Sequence, residues 1–236
     1  MRAPKTRTEI RQDQIAKAAL ALISRRGFSH LNVAGLARKV GVVPSAVYRH
    51  FRGKDEVLDA VLDLVSERLL ANVEAVRQET PDSLERLRQL LLRHVQLVRS
   101  EVPIPRVVFS EEVFTGHARR RRRVYRMFHE YLAAVAGMIR EGQTAGHIRL
   151  ELDADTLSVM FLGLVQPAAI LWLMSDGEFD LARHVNRAWG VFRGTIEQNA
   201  ASERSHREPV TLRARRGKGQ SSRHSNAEWR ASRPTP

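Results

Sequence analysis

The sequence predicts an all-α protein, built as a small three-helix unit followed by a larger helical domain. Between residues 10 and 199, apolar residues return every three or four positions, which is the period of an amphipathic helix. Glycine, proline and helix-capping residues interrupt this pattern at intervals typical of helix ends. The only hint of a strand is the short stretch HIRLEL at residues 147–152.

The first element is a basic arm at residues 1–9, followed by a helix that ends at Gly27. The arm carries Arg2, Lys5 and Arg7. Apolar residues at helical spacing define the buried face of the helix: Ile15, Ala18, Ala19, Leu22 and Ile23. Phe28 and Leu31 are expected to complete the small core of this unit.

Residues 31–54, LNVAGLARKVGVVPSAVYRHFRGK, predict two short helices joined by a tight turn. One apolar stripe marks the first helix, at Val33, Leu36, Ala37 and Val40. Gly41 breaks that helix and suits the left-handed backbone of a turn. Pro44 fits the first turn of the second helix, where its missing N–H costs nothing. The stretch therefore predicts a helix-turn-helix, a motif whose second helix enters the DNA major groove.

The second of these helices has an inner and an outer side. Val47 and Phe51, four residues apart, face the first helix. The outer side carries Ser45, Ala46, Tyr48, Arg49 and His50. The alternative for Tyr48 and His50 is that they simply complete the small core.

The run ARKVGVVPSAVYRHFRGKDEVLDAVL, with its YRHF and following GK, resembles the DNA-binding domain of TetR-type (tetracycline-repressor-like) bacterial regulators. The resemblance covers roughly residues 10 to 65 and implies that Tyr48, His50 and Lys54 contact phosphates. Ser45, Ala46 and Arg49 lie where base edges are read, and Arg49 suits a bidentate contact to guanine. Asn32 stands where the family usually has Thr at the start of the first helix, and it completes the predicted DNA-binding set.

Residues 54–199 predict the larger domain, which begins with a linking helix at residues 54–72. A helix opens at Pro81 and Asp82, and a shorter one closes near Gly116. A long helix then starts with the run Arg119–Arg123 and ends at Gly142. We interpret this run as a solvated helix start, with a second DNA site, an acidic ligand or pairing with Glu111 and Glu112 as alternatives.

The last two predicted helices form a dimer interface. A nearly all-round apolar helix runs from Asp155 to Met174, and Asp180 caps the final helix. An all-round apolar helix must be covered on every side, which favours a four-helix bundle across a two-fold axis. The TetR resemblance implies the same arrangement. The predicted interface residues are Leu171, Val185, Trp189, Phe192 and Ile196.

A ligand pocket is expected inside the larger domain, because TetR-type regulators typically leave DNA when a small molecule binds. Its candidate lining is mostly apolar and suits a hydrophobic or aromatic effector: Phe109, Phe128, Tyr131, Met160, Phe161, Leu164, Gln166 and Trp172. The alternative for each residue is ordinary core packing.

Composition supports a polyanionic partner. The 236-residue chain has a formal net charge of +13 and a pI near 11.2. Its tail, residues 200–236, is rich in Ser, Arg, Gly and Pro and is predicted to be disordered. The predicted domains are therefore a 1–9 arm, a 10–53 DNA-binding domain, a 54–199 helical domain and a basic tail.

Several classes of protein are disfavoured. Cysteine is absent from the sequence, which excludes disulfides, zinc-finger sites and thiol catalysis. Neither a metal-binding histidine pattern nor a catalytic or cofactor motif occurs, so we expect no enzyme, metal or cofactor. No uninterrupted apolar run reaches the ~18 residues of a membrane span, and no signal core opens the chain. We expect a cytoplasmic, nucleoid-associated protein.

The leading hypothesis is a homodimeric repressor that a small ligand releases from a palindromic operator. The second is a DNA-organising or adaptor protein that has a helix-turn-helix and needs no inducer. A DNA-processing enzyme would need a catalytic constellation beside the motif, and the sequence has none.

Overall fold

The computed structural model describes residues 7–26, 30–100, 107–108, 110–111, 113 and 118–198, and helices dominate these ranges. Their only β-pairing is an isolated antiparallel bridge between Ile148 and Glu197. The all-α fold class is therefore confirmed. The helices are α1 (Arg7–Arg26), α2 (Val33–Val40), α3 (Pro44–Tyr48), α4 (Lys54–Glu79), α5 (Ser83–Ser100), α6 (Ala118–Thr144), α7 (Ala154–Gly163), α8 (Gln166–Met174) and α9 (Leu181–Ile196).

Side-chain caps begin α2, α7 and α9. The carboxylate of Asp153 accepts a hydrogen bond from the Thr156 amide at 2.7 Å, and that of Asp180 accepts one from the Arg183 amide at 3.0 Å. Each bond satisfies an amide N–H that has no partner inside its helix. Asn32 caps α2 in the same way. These aspartates are the caps that the sequence predicts.

The N-terminal helices share one small core. Ile15 and Ala19 of α1, Leu36 of α2 and Val47 of α3 are buried there, and α1 also packs against α4. The arm is shorter than predicted, because α1 already begins at Arg7. Gly27 and Phe28, expected at the end of this helix and in its core, lie outside the described residues.

Residues 154–174 form two helices rather than the single helix that the sequence predicts. Pro167 cannot donate to the carbonyl of Gly163 and would clash with it, so the helix cannot continue through this point. The Leu164 amide donates to Phe161 O at 3.2 Å and the Val165 amide to Leu162 O at 3.1 Å, which tightens the backbone there. By length and composition this segment, taken as one helix, is apolar enough to cross a membrane. The break divides the segment into helices of 10 and 9 residues, and each is shorter than the ~20 residues that a membrane-spanning helix needs.

The core of the larger domain lies between α4, α5, α6 and α7. Its largest fully buried side chains include Leu87, Leu91, Tyr131, Met138 and Phe161. Helix α9 packs against α5 and α8. Of the short helix predicted near residues 107–116, Val107, Val108 and Val113 are buried and most other positions lie outside the described residues. The described residues belong to one compact unit that ends at Gln198.

Candidate nucleic-acid interface

The turn between α2 and α3 depends on a left-handed glycine. Gly41 has φ 75° and ψ 36°, and the amide of Val42 donates to Ala37 O at 2.9 Å. A Cβ at Gly41 would meet no heavy atom within 4 Å, so backbone conformation rather than space requires glycine here. The turn ends α2 and sets the direction of α3.

Helix α3 presents an apolar side to the core and a polar side to solvent. Pro44 occupies its first turn, and Val47 and Phe51 are buried. Ser45, Tyr48 and Arg49 are exposed, whereas Ala46 and His50 are half-buried. The regular helix ends at Tyr48, but the amides of His50 and Phe51 still donate to Val47 O, at 2.9 and 3.0 Å. The predicted outer side therefore stays on one continuous, hydrogen-bonded segment.

Lys54 is the first residue of α4 and is exposed. It follows Gly53, which provides no side-chain cap for the first turn of α4. A helix start attracts anions through its amide N–H groups and its dipole. The Lys54 ammonium and this helix start are therefore suited to a single phosphate.

Asn32 has a structural task besides its predicted DNA contact. Its Oδ1 accepts from the Gly35 amide at 2.7 Å, and its Nδ2 donates to His30 O at 3.2 Å. Both ends of the amide are thus used to start α2. The second Nδ2 hydrogen is not used by these two bonds, so capping is compatible with the predicted DNA contact of Asn32, which stays a prediction.

Val43 is a residue that the sequence prediction missed. It directly precedes α3, and 63% of its surface is exposed. An exposed branched apolar side chain beside the predicted base-reading residues suits a thymine methyl group. The available signal was its position immediately before Pro44, at the start of the second helix.

The arginine run at the start of α6 is not simply solvated, which corrects the prediction for two of its members. Arg120 is buried, and its guanidinium donates to Asp59 Oδ1 at 3.1 Å and to Asp55 Oδ1 at 3.0 Å. Arg123 donates to Asp63 Oδ2 at 2.6 Å. The sequence held a signal for this contact, since the three aspartates recur every four residues along one face of α4.

The predicted dimer-interface residues separate into two groups. Leu171 is exposed. The other four, Val185, Trp189, Phe192 and Ile196, are buried inside the single subunit. They form the inner face of α9, so a partner subunit cannot cover them. An interface on these helices must use their opposite, exposed faces.

The predicted pocket residues also lie in different surroundings. Tyr131 and Phe161 are fully buried, whereas Phe128, Leu164, Gln166 and Trp172 are half-buried. Met160 is 48% exposed on the outer side of α7, which removes it from an internal lining. Phe109 lies outside the described residues.

Two surface clefts in the part of the chain that the structure describes are lined by residues other than the predicted pocket residues. One, of about 330 Å³, lies between the start of α5, the α6–α7 turn and the end of α9. The other, of about 230 Å³, lies between α4 and α6 and includes Asp63, Arg123 and Glu130. Among the described residues, no group of three or more His, Asp or Glu side chains is placed to hold a metal ion.

A polar pair lies inside the apolar core of the larger domain. Nδ1 of His94 in α5 is 3.3 Å from the hydroxyl of Tyr131 in α6, and their rings meet edge to face. Burial lowers the pKa of His94 from 6.5 to about 4 and raises the pKa of Tyr131. Both groups are therefore neutral at pH 7, as an apolar interior requires.

Family models match both parts of the chain. The model described as "Bacterial regulatory proteins, tetR family" matches residues 15–61. The model described as "YsiA-like protein, C-terminal region" matches residues 65–194. The first match contains the whole helix-turn-helix, and the second covers more than half of the chain.

The proteins similar to this chain match nearly the same length of it, but the functions in their names differ. The nucleoid occlusion factor SlmA of Vibrio atlanticus is 24% identical over 193 residues, which are 81% of this chain and 98% of that protein. The fatty acid degradation regulator FadR of Bacillus halodurans has a TM-score of 0.68 at 22% identity, covering 80% of this chain and 96% of that one.

Two further solved structures contain small molecules. The FadR of Bacillus subtilis in complex with stearoyl-CoA has a TM-score of 0.65 at 22% identity, covering 78% of this chain and 98% of that one. A transcriptional regulator of Saccharomonospora viridis in complex with choline has a TM-score of 0.71 at 22% identity. The match covers 81% of this chain and 100% of that one. At these identities the structures show a shared fold. Together with the two family models, they place the helix-turn-helix and the helical domain in one architecture, and this chain belongs to the TetR family of DNA-binding bacterial regulators.

Proposed function

We propose that the protein is a homodimeric repressor that binds a near-palindromic operator and leaves it when a small, hydrophobic or aromatic ligand binds. The observation that carries this proposal is the exposed polar side of α3, with Ser45, Tyr48 and Arg49 turned away from the core. One chain offers one such helix. Two chains related by a two-fold axis would offer two, to successive major grooves on one face of the duplex.

An exposed apolar face supports the dimer. It is formed by α7, α8 and α9, and its members are 43–78% exposed in the single subunit: Val159, Met160, Ile170, Leu171, Met174 and Val191. Large apolar patches on one face of a single subunit mark protein contacts. Gly190 and Gly194 lie beside Val191, and a Cβ at either would meet nothing within 4 Å. Two exposed glycines four residues apart allow a partner helix to approach closely.

The ligand proposal rests on the interior of the larger domain. The His94–Tyr131 pair offers hydrogen-bonding groups inside an otherwise apolar core. Such a combination suits a ligand that is largely apolar and has a polar group. Stearoyl-CoA, present in the B. subtilis FadR complex, has this character. Phe128, Leu164, Gln166 and Trp172 remain candidate lining residues.

For a ligand to release the protein from DNA, its affinity must differ between two conformations of the protein. A ligand shifts the equilibrium only if it binds the form with poorly spaced recognition helices more tightly than the DNA-bound form. A 100-fold difference in ligand affinity corresponds to about 2.7 kcal/mol of coupling.

The second candidate is a DNA-organising protein that works without an inducer in the cytoplasm, on the nucleoid. The relatives named nucleoid occlusion factor favour it, since they match almost over their full length. The two candidates predict different distributions of binding sites. A repressor binds few sites near promoters, whereas an organising protein binds many sites spread over the chromosome.

Selection of bound fragments from genomic DNA with the full-length protein tests both. Enrichment of a palindrome at a few promoters supports the repressor, and addition of saturated fatty acyl-CoA then tests release. Sites scattered without regard to promoters support the organising protein. A selection without any enriched sequence contradicts both.

A further inference from the structure

The starts of α4 and α6 lie level with each other, at the end of the molecule where the helix-turn-helix joins the larger domain. Hydrogen bonds between the two helices join Arg120 to Asp55, Arg123 to Asp63 and Arg77 to Glu141. The two residues of each pair are 65, 60 and 64 positions apart in the sequence, respectively. A nearly constant separation means that the helices run parallel and in register. The first turn of α6 is therefore beside the first turn of α4, which begins at Lys54.

The arginine run has an inner and an outer side. Arg120 and Arg123 face α4 and pair with its aspartates. Arg119, Arg122 and Arg126 are exposed and follow one another at intervals of three and four residues, so they share a face of α6. Within the residues that the structure describes, no carboxylate forms an ion pair with Arg119 or Arg122.

The arginine charges on this outer side are electrostatically unfavourable when no anion is bound to them. The positive end of the helix dipole lies at the start of α6, and its first turn contains no acidic residue. Arginines here repel both that dipole and one another. A bound anion would relieve the repulsion, and the regular spacing of the guanidinium groups suits a row of phosphates.

On the inner side, an ion pair neutralises a carboxylate that would otherwise repel DNA. Asp55 directly follows Lys54, and its carboxylate is 59% exposed. A carboxylate in that position repels a phosphate held by Lys54 unless it is neutralised. Arg120 supplies the neutralising charge at 3.0 Å. Residues 52–59 and 119–123 together contain seven basic and three acidic side chains, so the net charge around the paired helix starts is positive.

We propose that Arg119 and Arg122 bind backbone phosphates of the DNA that flanks the segment contacted by the helix-turn-helix. The proposal rests on DNA binding by this family of regulators and extends the contact to a second element, the start of α6. Packed helices are about 8–10 Å apart, so an arginine on α6 starts about one helix diameter from the phosphate proposed for Lys54. These contacts add affinity and salt dependence without adding sequence preference.

The test compares the parent with Arg119→Gln/Arg122→Gln on two duplexes. One ends at the footprint of the helix-turn-helix units, and the other extends about ten base pairs, one helical turn, beyond it on each side. The matched control is Arg140→Gln/Arg149→Gln, which removes the same charge. Arg140 lies twenty residues further along α6 from Arg120, or about 30 Å at the rise of an α-helix.

On the long duplex, we expect the slope of log affinity against log salt to fall by about 0.9 for each phosphate that the variant no longer binds. For two phosphates in each subunit of the proposed dimer, four in all, the parent should lose about 150-fold more affinity than the variant over a fourfold rise in salt. On the short duplex, the two proteins should bind equally. Arg119→Lys/Arg122→Lys should restore the slope, because it keeps both charges.

Equal salt slopes for parent and variant on the long duplex overturn the proposal and leave an acidic protein surface as the remaining partner. An equal decrease of the slope in the Arg140→Gln/Arg149→Gln control also overturns it, since the effect would then reflect net charge alone. The same comparison on a long random-sequence duplex is independent of any operator. A failure of the proposed repressor function is therefore distinguishable from a failure of this inference.

Discussion

The helix-turn-helix and the α7–α9 region differ in what their exposed surfaces consist of. In the first, Val47 and Phe51 are buried and polar side chains such as Arg49 lie outside. In the second, large apolar side chains are exposed as well as buried, as Val191 and Phe192 illustrate on neighbouring positions of α9. The first surface suits a charged partner and the second another apolar surface. A single amphipathic pattern cannot therefore be used to locate function throughout this chain.

The largest expected effect comes from charges placed on the two sides of the α7–α9 region. Leu171→Asp/Val191→Asp changes exposed positions, so the subunit should fold but remain monomeric. Trp189→Asp/Phe192→Asp would bury charge in the subunit core and should prevent folding. Without the second recognition helix, palindrome binding should weaken about 10²–10⁴-fold.

Sedimentation velocity and thermal unfolding check this contrast. A folded dimer from Leu171→Asp/Val191→Asp would place the interface elsewhere. A folded, dimeric Trp189→Asp/Phe192→Asp would contradict the burial of these side chains.

The second prediction concerns Arg120, which connects α6 to the helix that follows the DNA-binding unit. Arg120→Leu leaves Asp55 and Asp59 without their buried cation and should lower the free energy of unfolding by about 2 kcal/mol. This is below the figure for a fully buried pair, because Asp55 is more than half exposed. Arg123→Leu breaks a more exposed pair and should cost about 0.5 kcal/mol. Urea unfolding measures both values, and equal costs would contradict the difference in burial.

Sequence reasoning located turns and helix caps but did not identify which residues are buried within one subunit and which are exposed to a partner. The turn at Gly41 and the caps at Asp153 and Asp180 follow from local backbone chemistry, so they could be predicted. The faces of α9 could not, because apolar periodicity does not distinguish burial in one subunit from burial by a partner. The Arg120 contact depends on two helices 61–65 residues apart, and only tertiary packing brings them together.

The third prediction uses the buried His94, which has no counterpart in the helix-turn-helix. Its folded pKa of about 4 lies below the ordinary 6.5, so below pH 6.5 the unfolded chain binds the proton first. Stability from this group is complete above pH 6.5 and decreases as the pH falls toward 4. Between pH 6.5 and 5 the decrease is about 2 kcal/mol.

His94→Gln keeps a polar partner for Tyr131 but does not titrate, so its stability should change less between pH 7 and 5. Chemical unfolding at several pH values measures the difference. His147→Gln, a change at an exposed histidine, is the control for replacing a histidine by glutamine. Identical profiles for parent and His94→Gln would rule out a buried neutral histidine.

The fourth prediction tests base reading on the exposed side of α3. Arg49→Ala should cost about 1–3 kcal/mol of binding per half-site and relax sequence preference at one symmetric position, because alanine cannot form the bidentate hydrogen bonds to guanine. Selection of bound sequences from a random library measures the preference. An unchanged sequence profile would remove Arg49 from the base-reading set.

The smallest expected effect belongs to Lys54, on the same surface but at the start of α4. Lys54→Ala removes one phosphate contact, so binding should weaken almost equally for operator and random DNA. Because the proposed dimer loses one contact in each subunit, the slope of log affinity against log salt should fall by about 1.8, or about 0.9 per phosphate. Arg49→Ala is the matched comparison, because it should change the ratio of operator to random affinity whereas Lys54→Ala should leave that ratio nearly constant. A large change in the ratio for Lys54→Ala would mean that this lysine reads bases, and that the polar surface extends its sequence recognition beyond α3.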